Sequence, residues 1–490
     1  MAMDLLADRR STQAGECLCP SVGKPVSGAG LKGILLALSG FLLNSGCTPT
    51  PQASTDDVIE QLSASSGYAF VLKGDKDGSL WPEGVDANDG LVEQECIRLA
   101  LHNNASFQSE LAKLGLFAGE VARAGEIANP SYSVLFPVGR ADFESTWGLP
   151  IEFLWLRRIR VEIAQKGLDA EAESLLQTAH NLASEIRVSR LQVRYARKRL
   201  ELAHQEAEAR EKLLHLAREA LAAGGTTGLA VEETAVDATL ALSRVLHREQ
   251  EVNRAELQLW ALLGVEELPL DTLLVFTDSN SPSLPTIDHL KEAAILSRPD
   301  LRAASIRVEQ AAQTCKLTRN EWIKLSGLLD VDLPDGKARI SPGLKFDIPI
   351  FNQGQADQAV ATAALDLAAR RYMERRWQIL VEVTQSYARY QQGLSAVTQL
   401  QETALPTIQT QIESRSLAEQ AGLGLASETV TAQMHLLDAL TALNEETHRL
   451  ALAGVELDRA VGCRCDGLQL AGPRLPAPRS EDLVTRKDDS

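Results

Sequence analysis

The side chains that could do chemistry are few, and their spacing does not suit it. Of seven cysteines, Cys17 and Cys19 lie near the N-terminus, Cys96 and Cys315 in helical stretches, and Cys463 and Cys465 just past the last helix. Cys463-Arg464-Cys465 could grip a soft metal, but no second pair lies near enough in sequence to complete a tetrahedral set, and no metal site is expected. The eight histidines, at 102, 180, 204, 215, 247, 289, 435 and 448, show no HExxH or other ligand spacing. No nucleophile paired with a base and no phosphate loop stands out, so no catalytic residue, cofactor or enzymatic activity is expected. What remains is charge beside glycine. Two segments, AAGGTTGLAVEE (222–233) and QAGLGLASE (420–428), bring Glu232, Glu233 and Glu428 to the starts of helical stretches. Acids there complement the helix dipole and by themselves need no further role.

The elements that carry these residues are long. The chain has 490 residues, 44% hydrophobic but only 4% aromatic, a composition suited to helices packed side by side. Its formal charge of -17 disfavours nucleic acid, which wants clustered Lys and Arg. Near the N-terminus, LKGILLALSGFLLNSGCTPTPQAST puts Lys32 before an apolar run from Gly33 to Leu43, too short to span a bilayer as a helix. Ser45 and Gly46 then precede Cys47. This resembles a bacterial lipoprotein signal, with Asn44 a departure from its pattern. The resemblance implies export, cleavage before Cys47 and lipid (palmitate) attachment there. Residues 1–46 are read as the signal and 47–90 as an N-terminal linker segment.

The rest of the chain is one unit written twice. LALHNNASFQSELA (99–112) aligns with AAILSRPDLRAASI (293–306), GLPIEF (148–153) with DIPIFN (347–352), and GLAVEET (228–234) with GLASETV (424–430). The first repeat is expected over 91–264 with a β-hairpin at 131–153, and the second over 286–462 with a hairpin at 324–350. An inter-repeat linker, 265–285, separates them, and a Pro- and charge-rich tail, 463–490, is expected to be disordered. Each repeat reads helix, two strands, a long helical stretch, a short glycine loop and a final helix. The helices are expected near 91–128, 156–223 and 229–263, then 286–322, 356–420 and 425–461, with a kink at Pro406.

The strands are two-faced. Phe143, Ser145, Trp147, Leu149, Ile151 and Phe153 alternate with Glu144, Thr146 and Glu152; Leu325, Leu329, Val331 and Leu333 oppose Asp330 and Asp332. About ten alternating residues match a tilted transmembrane β-strand, apolar outward and polar inward. Four strands cannot close a barrel, and open edges are not tolerated in lipid. Two copies give eight strands, whose interior side chains fill; three give twelve, with room for water.

RPDLRAASIRVEQAA (298–312), PGLKFDIPIFNQGQADQAVATAALDLA (342–368), LAEQAGLGLASETV (417–430) and ELDRAVG (456–462) carry a further resemblance. Together they resemble the TolC-like outer-membrane efflux proteins, with FNQGQADQA and Leu405-Pro406 most similar to the heavy-metal, CzcC-like branch. The resemblance implies a mainly α fold with a small β part: a homotrimer whose twelve-stranded outer-membrane barrel continues as a periplasmic helical tunnel. It implies passive conduction, outer-membrane lipid around the barrel, and a periplasmic adaptor and inner-membrane pump, of RND type, as partners. It makes Gly228, Leu229, Gly422, Leu423 and Leu425 adaptor-contacting tip residues, and Glu428, with Glu232 as its counterpart, a periplasmic constriction. The stretch FLWLRRIR departs from the family's glycine turn and puts Arg157, Arg158 and Arg160 where a barrel rim would meet anionic headgroups. A type I protein-secretion channel of the same build is one alternative, and a non-spanning periplasmic coiled-coil adaptor or structural protein is the other.

Overall fold

The computed structural model describes residues 90–135, 144–265, 285–321, 324–332, 339–346 and 353–462, with isolated positions at 59, 60, 63, 70, 82, 85, 348, 350 and 351. All of them lie in one compact unit, Pro51–Ser490. The leader with Cys47, residues 266–284, and the tail with Cys463 and Cys465 lie outside the described residues.

The same element order appears twice. The first set is α1 (Glu93–Asn103), α2 (Ala105–Gly125), β1 (Ser131–Leu135), β2 (Glu144–Pro150), α3 (Phe153–Ala222) and α4 (Gly228–Leu263). The second is α5 (Ile287–Ser297), α6 (Pro299–Asn320), β3 (Leu325–Asp332), β4 (Arg339–Phe346), α7 (Gln355–Gln399), a π-turn (Leu400–Ala404), α8 (Leu405–Gln420) and α9 (Ala426–Val461). At 1.5 Å per residue the 70 residues of α3 extend about 105 Å.

Where one helix was expected near 91–128, and another near 286–322, the structure has two each. Asn104 and Arg298 break them, both in extended backbone with ψ of 113° and 121°. The Asn104 side chain accepts from Phe107 N and so starts α2 afresh. Arg298 precedes Pro299, whose ring pushes it out of the helical region. Pro406 also acts differently from a simple kink. The break falls ahead of it, in a π-turn where Leu405 N donates to Leu400 O, and the proline then sits in the first turn of α8, where its missing N–H costs nothing.

Breaking the helices makes a latch, and both repeats use it. Asn104 Nδ2 donates to the carbonyl of Leu262 at 3.0 Å, and Arg298 Nη1 donates to that of Ala460 at 3.0 Å. In each repeat a residue between two short helices thus ties down the last carbonyls of the final helix. Gly264 and Gly462 end those helices at φ of 70° and 80°. A Cβ on Gly264 would lie 2.6 Å from Asn103 O, and one on Gly462 would lie 2.9 Å from Arg298 Cγ. Glycine is required twice over, by backbone and by space.

Around each latch the core is apolar. Leu99, Leu101, Phe107, Leu111, Leu114, Ile186, Leu259 and Leu263 are buried in the first repeat; Leu290, Ala294, Leu301, Ile379, Val383, Leu457 and Val461 in the second. Each fully buried Leu or Ile contributes about 1.5–3 kcal/mol. The repeats meet along α3 and α6, where ion pairs run up the seam: Arg302–Glu173 at 2.8 Å, Lys166–Glu309 at 2.7 Å and Arg160–Glu321 at 3.2 Å. They also meet in the sheet, which has the order β1-β2-β3-β4 with every neighbour antiparallel. Across the long helices α4 packs on α3, α3 on α9, and α9 on α7 and α8.

Candidate channel wall and aperture

The sheet register decides which residues share a face. Tyr132, Trp147, Leu329 and Pro342 lie side by side across the four strands, as do Val134, Ser145, Val331 and Ile340. Two residues along from Trp147, the neighbours are Leu149, Gly327 and Leu344. The opposite face carries Ser133, Thr146, Asp330 and Ser341 in one row and Leu135, Glu144, Asp332 and Arg339 in the next. One face is therefore apolar through all four strands and the other largely polar, with Leu135, Pro150 and Leu328 as apolar exceptions. On the apolar face Tyr132, Trp147, Leu344 and Phe346 are exposed, and the Tyr132 and Trp147 rings pack at 4.6 Å between centroids. Ser145, the polar residue on that face, is buried, and its Oγ donates to Val331 O at 3.4 Å.

The strands are shorter than alternation suggested. β2 stops at Pro150 and α3 starts at Phe153, inside the stretch read as strand; β4 stops at Phe346. Residues 136–143 and 333–338, Phe143 and Leu333 among them, lie outside the described residues. Of the three arginines expected at the rim, two are committed to protein. Arg157 Nε donates to Gly125 O at 2.6 Å, satisfying the end of α2, and Arg160 pairs with Glu321. Arg158 alone is exposed.

At the other end of the long helices two loops repeat one backbone motif. Gly224 and Gly422 take φ of 77° and 73°, and the next residues, Gly225 and Leu423, donate to Ala220 O and Ala418 O. These are Schellman-type ends, 198 positions apart. That spacing also separates the helix starts Gly228 and Ala426, so the sequence match of GLAVEET with GLASETV is two residues out of structural register. Gly228 is the first residue of α4, and Leu425 caps α9. Leu229, Leu423 and Leu425 are exposed at 66%, 87% and 66%.

Glu428 and Glu232 are not equivalent. Glu428 is exposed in the first turn of α9, and its carbonyl accepts from Arg415. Glu232 is also exposed, but α4 starts at Gly228 and has no acid in its first turn. The helix-dipole role anticipated for all three acids therefore applies only to Glu428. The hairpins differ as well. Arg210–Asp237 at 2.7 Å, Arg244–Glu206 at 2.6 Å and Arg197–Glu256 at 2.6 Å lace α3 to α4. Among the described residues, α8 and α9 are joined instead by hydrogen bonds such as Thr429 Oγ1 to Glu419 Oε2 at 2.6 Å.

Sequence reading missed the ion cluster at the second latch. Arg298, 3% exposed, donates to Asp300 at 2.7 Å and Glu382 at 2.5 Å, and Arg375 reaches Asp300 at 2.5 Å. Burial opposes ionisation of Asp300, but Arg298 and Arg375 outweigh it and hold its carboxyl below the ordinary range. The visible signal was RPD itself, read as a family mark and not as a cation buried beside its acid. Half-buried His180 on α3 is pushed down to about 4, by burial first and then by Arg302 and Arg187. Among the described residues no group of three or more metal-ligating side chains occurs, and no helix is long and apolar enough to cross a membrane.

Residues 137–265 match the family model described as outer membrane efflux protein. No curated protein matches the chain at a significant level. Solved structures match the fold along most of its length. The outer-membrane channel OprN is 19% identical, covers 86% of this chain and 100% of its own, and gives a TM-score of 0.63. The Campylobacter jejuni CmeC outer membrane channel is 14% identical, with 80% and 91% covered and a TM-score of 0.61. The Neisseria gonorrhoeae MtrE outer membrane channel, in its open state, is 17% identical, with 80% and 95% covered and a TM-score of 0.58. Residues 137–265 are thus similar to the outer membrane efflux protein family, and the duplicated helix–hairpin–helix fold is that of the solved outer-membrane channels.

Proposed function

We propose that the chain is the outer-membrane channel of a tripartite efflux system, passively conducting substrates from an inner-membrane pump and a periplasmic adaptor to the exterior. The observation that carries this is the four-stranded sheet, apolar on one face and largely polar on the other, with β1 and β4 each open along one edge. Such edges must be paired in lipid. Because the strands alternate in direction, β4 of one copy meets β1 of the next antiparallel, and the ring can close with any number of copies. Two copies would leave an interior filled by side chains; three give twelve strands and a water-filled bore. The helices repeat this logic. α4 and α7 stand at the two flanks of the helical layer and expose Val236, Leu240 and Leu246, and Val360, Leu367 and Trp377, apolar surface for the neighbouring copy to cover.

The bore then needs no catalytic group. Its outer wall sits in outer-membrane lipid, anchored further by lipid on Cys47, and its helices extend through the periplasm. The exposed tips at Gly228, Leu229, Gly422, Leu423 and Leu425 are the adaptor-contacting end, and a pump of RND type supplies the driving force. Three Glu428 carboxylates around one axis would repel anions and gather cations, which fits the heavy-metal branch. Glu232, out of register with Glu428, is a second acid near the same end.

Extraction of outer membranes tests the reading. A trimer that resists detergent at room temperature and dissociates on heating supports it. A soluble monomer in the periplasmic fraction rejects it in favour of the non-spanning rival. A neighbouring transporter with a secreted protein substrate would redirect it to type I secretion.

A further inference from the structure

Each repeat carries a cavity beside its latch, and the two cavities are copies. One, of about 360 Å³, is walled by Glu382, Gln385, Ser386 and Arg389 of α7 with Glu456, Arg459 and Ala460 of α9. The other, of about 600 Å³, is walled by Glu185, Val188, Ser189 and Gln192 of α3 with Gln258, Ala261 and Leu262 of α4. Each α7 residue stands 197 positions after its α3 counterpart, and each α9 residue 198 after its α4 counterpart. The π-turn, which adds one residue to the second repeat between cavity and tip, accounts for the difference.

The copies differ in what meets the carboxylate. In the second, the latch residue Arg298 lines the cavity and gives its guanidinium to Glu382 at 2.5 Å. Ser386 Oγ there donates to the carbonyls of Glu382 at 2.9 Å and Val383 at 3.2 Å. In the first, the latch residue is Asn104, which bonds Leu262 O and carries no charge. Glu185, the counterpart of Glu382, is exposed and makes no ion pair among the described residues. Ser189, the counterpart of Ser386, is 3% exposed, and its Oγ has no hydrogen-bond partner. A buried hydroxyl without a partner is costly and calls for a reason. Glu456 and Arg459 border both cavities, but residues of the second hold them: Arg389 pairs with Glu456 at 2.9 Å, and Arg459 Nε donates to Asn181 Oδ1 at 3.1 Å.

We infer that the cavity of the first repeat binds an organic monocation with an apolar body. Its ammonium or guanidinium sits on Glu185 and donates to Ser189 Oγ, while the body lies against Val188, Leu262 and Val455. The second repeat shows the same wall holding a guanidinium, its own. A bare metal ion fits poorly, since no three ligating side chains gather among the described residues. Everything the site needs lies within one chain, so the inference goes beyond the channel reading and stands apart from it.

The probe is dansylcadaverine, a primary ammonium joined by an alkyl stem to an environment-sensitive ring. It is titrated into the full-length protein in phosphatidylcholine nanodiscs, with empty nanodiscs subtracted. Blue-shifted emission should saturate at one probe per chain. Glu185→Gln should weaken binding about tenfold, because a charge-assisted bond becomes a neutral one, and Ser189→Ala about threefold. The uncharged analogue N-pentyl dansylamide should bind more weakly, and equally to parent and Glu185→Gln. Asn104→Arg gives the first repeat the latch of the second and should set an internal guanidinium on Glu185, expelling the probe. No saturable signal from the parent overturns the site, whether a second copy or residues 463–490 cover it. Binding that ignores Glu185→Gln, or that the uncharged analogue matches, reduces the cavity to an apolar cleft and also overturns it. Undiminished binding by Asn104→Arg overturns the equivalence on which the inference stands. Should that variant fail to fold, Glu185→Gln, at an exposed position, decides the matter.

Discussion

Replacing Arg298 with Ala should cost the protein about 3 kcal/mol of folding stability, and the figure follows from its surroundings. The guanidinium is 3% exposed and satisfies Asp300, Glu382 and the carbonyl of Ala460. Truncating one partner of a buried ion pair typically costs about 3–5 kcal/mol, because the remaining charges stay buried without compensation. Arg375 still contacts Asp300 at 2.5 Å, and its other nitrogen lies 3.5 Å from Glu382, so the lower end applies. That corresponds to roughly a hundredfold change in the folding equilibrium. The matching latch in the first repeat offers an internal scale. Asn104→Ala removes a helix cap and a bond to Leu262 O, but no charge, and should cost about 1–2 kcal/mol. Urea unfolding in detergent, followed by far-UV circular dichroism at fixed protein concentration, measures both. Arg298→Lys should fall between parent and Ala, since one ammonium cannot reach three acceptors in this fork geometry. A loss below about 1 kcal/mol for Arg298→Ala, or a smaller loss than for Asn104→Ala, would refute the claim that this cluster is the stronger latch.

Other predictions are independent of the latch charge. In planar bilayers Glu428→Lys should turn cation preference into anion preference; unchanged reversal potentials would remove Glu428 from the conduction path. Three glycines at positive φ should respond to Ala in graded fashion: about 1 kcal/mol at Gly422, where nothing lies within 4 Å, more at Gly462 against Arg298 Cγ, and most at Gly264 against the backbone of Asn103, read by thermal melts. His180 binds a proton less readily when folded, at about 4 against 6.5 unfolded, so its share of stability is complete above pH 6.5 and is lost as pH falls toward 4. That share is worth up to about 3 kcal/mol, and His180→Gln should flatten this limb of the pH–stability curve; an unchanged limb would contradict it.

The duplicated plan was legible because its signals are periodic: alternation in Leu325–Asp332 and helical spacing through Gln355–Gln399 survive any local detail. What escaped depends on single residues acting at a distance. Nothing in the 3.6-residue period marks Asn104 as a break, since its reason is the carbonyl of Leu262 far along the chain. The π-turn at Leu400–Ala404 absorbs the proline in a way the residue type alone does not dictate. Two short Gly-Leu matches suggested a register for the tips that the helix starts shift by two positions, which separates Glu232 from Glu428. Arginines after a strand looked like a charged rim until Gly125 and Glu321 claimed two of them.

The most direct test is to image the full-length protein in lipid nanodiscs and count copies about the axis. Three subunits, each giving four antiparallel strands with Trp147 and Leu344 toward lipid and Asp330 toward a continuous bore, is the predicted result. A sheet whose apolar face is packed inside the protein, or a subunit number that leaves no bore, would contradict it.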